Sequence, residues 1–137
     1  MGKIREIIHP KPGGSGHGRG MVPGVKAGGL LFFSAVRGGG PRVEGQRSRM
    51  SDDTKEQTRQ AFTNLCLLLE GAGATLDYVT KVTVFFEDLK YRAAFHEVWM
   101  ETFPEDPPAR TAMQVENASA SADGNAHFVM DVIAVAP

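Results

Sequence analysis

The chain has 137 residues, of which 42% are hydrophobic and 23% charged, and its formal net charge is −1. This is the size and composition of one ordinary globular domain. A chain disordered throughout is excluded, and so is a protein that coats nucleic acid by bulk charge alone.

The charge is uneven along the chain. Up to Arg49 the lysines and arginines face only Glu6 and Glu44, and the remainder is acidic. The one cysteine, Cys66, allows no intrachain disulfide and fits a reducing, cytoplasmic location. Within "NLCLLLE" it reads as a small buried hydrophobe. No stretch reaches the roughly 20 apolar residues of a membrane span. The start "MGKIREIIHPKPGG" lacks the apolar core of a signal peptide. With no secretion signal, the Asn117-Ala118-Ser119 triplet is a chance match to a glycosylation site.

In chain order, residues 3–8 alternate weakly and stop at Pro10, which predicts a short edge strand. Residues 10–24 are rich in glycine and proline and form a loop. Val25 and Lys26, the Gly28-Gly29 pair and the run Leu30–Ser34 predict a hairpin. A Gly- and Arg-rich loop spans 37–50. A helix follows from about Ser51, with Asp53 and Glu56 at capping-box spacing. Phe62, Leu65, Cys66, Leu69 and Ala72 make its apolar face, and Gly71 and Gly73 stop it. "YVTKVTVFF" (78–86) is β-branched and aromatic, as in a covered strand. A second helix begins after Asp88 and carries Phe95, Val98, Trp99 and Phe103, with Pro104 beyond its end. Residues 109–115 and 127–135 are the last two strands. The order is β-β-β-α-β-α-β-β over a single domain, 1–137. Two helices cover only one face of a six-stranded sheet, while "LLFF", "VTVFF" and "FVMDVIAV" offer apolar side chains on both. The uncovered face predicts self-association.

Two stretches carry a family resemblance. "EQTRQAFTNLCLLLEGAGATLDYVTKVTVFFEDL" resembles the central signature of the Rid family, the reactive intermediate deaminases, also called YjgF-like. "PPARTAMQV" resembles its second signature and "MDVIAVAP" its C-terminal strand. The resemblance covers about residues 24–136. It implies an α+β, chorismate-mutase-like fold with a six-stranded mixed sheet and two helices on one face. It also implies a homotrimer with sites between subunits, and hydrolysis of an unstable 2-imino or 2-enamino acid to a 2-oxo acid and ammonia without metal or organic cofactor. Endoribonuclease activity, a label the family often carries, is the least supported expectation here. The only residues in its favour are the basic ones of the N-terminal third, and no aromatic RNA-binding motif accompanies them.

The arginine of the "PAR" motif corresponds to Arg110. On its own it fits either a surface salt bridge or a clamp whose planar fork makes two parallel bonds to a carboxylate. The resemblance assigns the clamp. Ser34 and Ala35 match the family's "SG", with alanine narrowing the backbone angles that glycine would allow. Three positions depart from the family. Met21 stands where a tyrosine usually lines the pocket. Val129 stands where a glutamate orients water, and valine accepts no proton. His96 stands where an asparagine is common. A replacement base is open among Asp131, on the strand face of Val129, His96 on the second helix, and His17 in "GGSGHGRG". His127 is expected to be solvated or at a subunit contact. His9, His17, His96 and His127 show no metal-ligand spacing, so no metal is expected. "GGSGHGRG" lacks the lysine and Ser/Thr of a P-loop and fits a lid better.

The first functional expectation is therefore a small carboxylate-bearing imine or enamine as substrate, with Met21, His17, Ser34, Ala35 and Val129 around it. A larger, more apolar carboxylate metabolite, turned over or only bound, is the alternative. Neither nucleic acid nor membrane is an expected partner.

Overall fold

The computed structural model describes residues 4–12, 20–40, 50–118 and 125–137. The strands are β1 (Glu6–Ile7), β2 (Gly24–Ala27), β3 (Leu30–Val36), β4 (Val79–Phe86), β5 (Ala109–Gln114) and β6 (Phe128–Val135). The helices are α1 (Thr54–Gly71) and α2 (Arg92–Thr102). One six-stranded sheet runs in the order β1-β2-β3-β6-β4-β5. Only the β4–β5 pair is parallel. The expected element order, mixed sheet and α+β class all hold.

α1 starts at Asp53, whose carboxylate accepts the Lys55 N–H. The expected capping box does not close. Glu56 instead accepts from the Ser51 hydroxyl at 2.5 Å. Gly73, at φ 76°, takes the left-handed turn that ends the helix and that a Cβ would strain. α2 is preceded by a 3-10 turn, Leu89–Tyr91, and ends before Pro104. Among the described residues, no helix is long and apolar enough to cross a membrane.

The core lies between the helices and one face of the sheet. Phe62, Leu65 and Leu69 of α1, with Phe95, Val98 and Trp99 of α2, pack against Val82, Val84, Phe86, Phe128, Met130 and Val132. Side chains alternate across a strand. Lys81, Thr83, Phe85, Val129, Asp131 and Ile133 therefore point to the other face, which no helix covers. There Leu30, Phe32, Met113 and Val135 are exposed. Cys66 is only half-buried, short of the full burial expected, and burial pushes its thiol pKa up. A raised pKa leaves little thiolate, the reactive form.

Polar side chains tie the far ends of the chain to α1. Asn64, buried, donates to the Arg37 and Gly39 carbonyls at 2.8 Å each, fixing the chain just after β3. Gln57 accepts the His127 N–H at 2.9 Å and donates to the Asn125 carbonyl at 2.8 Å. His127 departs from the expectation of a solvated side chain. It is 8% exposed, stacks on Tyr91 with ring centroids 3.9 Å apart, and meets the Thr54 hydroxyl through Nδ1 at 2.8 Å. Burial is the main force lowering its pKa; Lys90 adds to it while Asp52 and Asp53 oppose.

Candidate active site

Arg110 is the second residue of β5 and lies in register with Val82, so its side chain emerges on the helix side of the sheet. α2 receives it there. The guanidinium carbon is 4.7 Å from the Trp99 ring centroid and 5.9 Å from that of Phe95. Aromatic faces attract a cation and hold a planar fork flat. Nη1 donates to Nδ1 of His96 at 3.2 Å. Among the described residues no carboxylate pairs with Arg110, so none of them makes the surface salt bridge. Burial, reinforced by Arg92, pulls the Arg110 pKa down. Its charge is therefore partly desolvated, repelled by a second cation, and among the described residues met by ring faces and one imidazole. Such a cation gains more from a carboxylate than a solvated one does.

Ser34 and Ala35 sit at an irregularity between β3 and β6, where the register shifts between Phe33 and Val36. Ala35 has φ 55°, the left-handed conformation the substituted glycine would take freely. The bulge aims the Ala35 N–H at the side chain of Asp131, whose Oδ1 accepts it at 3.0 Å. Bulges of this kind re-aim groups beside binding sites. Beside it, a concavity of about 400 Å³ opens on the uncovered face, with Val22, Phe32, Ser34, Lys81, Thr83 and Asp131 in its wall. Lys81 reaches across to the Thr111 hydroxyl at 2.7 Å.

The residues singled out in the sequence thus fall into two groups. Arg110 and His96 are together on the helix side at β5. Ser34, Ala35 and Asp131 are together on the opposite face, on β3 and β6, with β4 between the groups. One chain does not join them. Val129 lies on the open face in register with Phe85 and does not line the concavity. Met21, 63% exposed, does not line it either, and Val22 takes that place. His17 lies outside the described residues. Sequence reasoning missed Trp99 and Arg92 as neighbours of Arg110. Trp99 has one signal: His96 and Trp99 are three apart on a helix and so share a face. Among the described residues no group of three or more His, Cys, Asp or Glu side chains could hold a metal ion.

Known proteins agree with this architecture. A family model described as Endoribonuclease L-PSP matches residues 19–136. A RutC family protein of Pyrococcus horikoshii is 40% identical over 116 residues, covering 82% of this chain and 86% of the relative. Among solved structures, a probable translation initiation inhibitor from Rhodopseudomonas palustris is 28% identical with a TM-score of 0.81, covering 97% of this chain and 98% of the other. E. coli TdcF with bound serine is 26% identical with a TM-score of 0.74, covering 95% and 98%. The chain belongs to this family, the Rid or YjgF-like proteins.

Proposed function

From that membership we propose that the protein is a Rid-type hydrolase of a small carboxylate-bearing imine or enamine. Water adds to the C=N carbon of the 2-imino acid, and the adduct loses ammonia to leave the 2-oxo acid. The observation that carries this reading is Arg110, a half-buried guanidinium over the Trp99 ring with no carboxylate of its own among the described residues. TdcF, a relative in fold and sequence, is described with serine bound, and serine carries a carboxylate of the required kind. An imine is already electrophilic, so the reaction needs less base assistance than amide hydrolysis. Val129 in place of an acid is then compatible with turnover.

The reading includes assembly. The apolar open face, with Phe32, Met113 and Val135 exposed, is suited to packing against further copies, in the trimer the family resemblance implies. A site between copies would pair the Arg110 clamp of one with the Ser34–Ala35 bulge of a neighbour, the two groups that one chain keeps apart. Ammonia release from 2-iminobutanoate generated in situ tests the proposal. Arg110→Ala should lower kcat/KM on the order of 100-fold, the loss of a bidentate charge-assisted pair. Equal rates with the variant, the parent enzyme and buffer would sink it.

One observation favours a second reading, a larger and more apolar carboxylate metabolite: Val22 and Phe32 flank Ser34 in the concavity wall. Greater thermal stabilisation by acids with longer apolar chains, without ammonia release, would select it. RNA cleavage has less behind it, since His127 is buried and engaged with Thr54 and Tyr91.

A further inference from the structure

Two opposite charges stand on the open face without meeting. Lys81 of β4 and Asp131 of β6 belong to neighbouring strands and point to the same side, with Thr83 opposite Asp131 in register. Each leans away from the other. Nζ of Lys81 donates to the Thr111 hydroxyl, on the β5 side. Oδ1 of Asp131 accepts the Ala35 N–H, on the β3 side. The ion pairs among the described residues, Lys55–Glu97 and Arg59–Glu101, join the helices and include neither. The exposed apolar residues divide in the same way, Met113 on β5 and Phe32 on β3. Charges among apolar side chains lose their water when that face is covered, and then need a partner of opposite sign. A head-to-tail contact brings the β5 side of one copy to the β3 side of the next. Repeated around a closed ring, it gives every Lys81 and every Asp131 a partner.

We infer that Lys81 of one copy pairs with Asp131 of the next, as the polar contact that sets the register of the assembly. The occupant of the open face is then a second copy of this chain. This rests on the proposed site, in which the Arg110 clamp of one copy meets the Ser34–Ala35 bulge of a neighbour. Lys81 is in register with Ala109, next to Arg110 in the chain, and Asp131 holds the Ala35 N–H. Bringing the clamp to the bulge therefore carries the cation to the anion. The pair is a positioning device, since it acts on the two halves of the site through the strands that carry them.

Sedimentation of the full chain over a dilution series gives the dissociation constant per contact between copies. Lys81→Met and Asp131→Asn each remove one charge, and asparagine still accepts the Ala35 N–H. Each should raise that constant on the order of 100-fold, because the charge left behind is covered and unpaired. The double variant should return to within about tenfold of the parent, since no lone charge remains. Additive losses would overturn the inference. Charge reversal tests the same pair by mixing. Lys81→Glu chains and Asp131→Lys chains should each dissociate alone and assemble when combined, because unlike copies restore the pair. Pairing within one chain predicts no such rescue, and a mixture that stays dissociated would overturn the inference. Where a reversal unfolds the chain, as circular dichroism would show, the neutral variants decide alone. A parent that sediments as a single chain removes the assembly and this inference together. A parent that assembles while its variants add removes the pair and leaves the assembly and the Arg110 clamp standing.

Discussion

The two faces of the sheet are built from similar residues and have opposite surroundings. Phe86 points under α2 and is fully buried, in edge-on contact with Phe95 at 5.4 Å between centroids. Phe32, on a strand of the same sheet, points the other way and remains 38% exposed. Among the described residues the charged side chains on the covered face lie at its margins, Arg110 on Trp99 at one edge and Lys26, opposite the buried Leu31, with Glu6 beside it at the other. The open face mixes Phe32, Ile133 and Val135 with Lys81, Thr83 and Asp131. An interior that is closed tolerates no such mixture without pairing. The difference teaches that the first face makes the fold, and the second is the face the proposed assembly would cover.

Exchanging residues across the two faces tests that division. The largest effect on folding is expected from Phe86→Ala, which should cost about 3–5 kcal/mol in chemical denaturation because a packed cavity is left. A loss under 1 kcal/mol would contradict the placement of the core. Phe32→Lys should change the folding of an isolated chain by less than about 1 kcal/mol, as surface changes do. Its effect should fall on assembly, with sedimentation velocity showing a smaller species than the parent. A parent that already sediments as a single chain would refute the assembly reading.

Ala35→Gly sharpens the comparison within the open face. It removes a left-handed strain of roughly 1–2 kcal/mol and adds unfolded-state entropy of roughly 0.4–1 kcal/mol. A net gain of up to about 1.6 kcal/mol is expected, measured by urea denaturation. The smallest effect belongs to the covered side. Burial holds the His127 pKa below its ordinary value. As pH falls from that ordinary value toward the lowered one, the unfolded chain takes a proton that the folded chain resists. Stability therefore declines with falling pH through that window. His127→Asn should flatten the decline between pH 7.5 and 5.5, and an unchanged slope would exclude His127 as its source.

The helices and strand order were legible because their signals are local. Phe62, Leu65 and Leu69 repeat at helical spacing, glycine ends α1, and β-branched residues fill β4. Arg110 stood out through its signature. What resisted reading depends on pairing between distant segments. β5 misleads, since Ala109, Thr111 and Met113 are more apolar as a set than Arg110, Ala112 and Gln114, yet Arg110 and Ala112 are in register with the buried Val82 and Val84. Only its parallel register with β4 settles which way Arg110 points. The same holds for His127, whose burial is decided by Thr54 and Gln57, far away in sequence. Glu56 found a nearer partner in Ser51 than the capping geometry foresaw.

β6 follows every other strand in sequence yet lies in the middle of the sheet, between β3 and β4. During synthesis on the ribosome, both of those strands wait with open edges until residues 128–135 have emerged. Leu30 and Val135, partners in the finished sheet, meet only once β6 has emerged. Such non-local closure slows folding and leaves edges that can recruit the wrong strand. A nascent chain stalled before Phe128 should thus be sensitive to protease along "LLFFSAV" and "VTKVTVFF" and become resistant once the last strand is released.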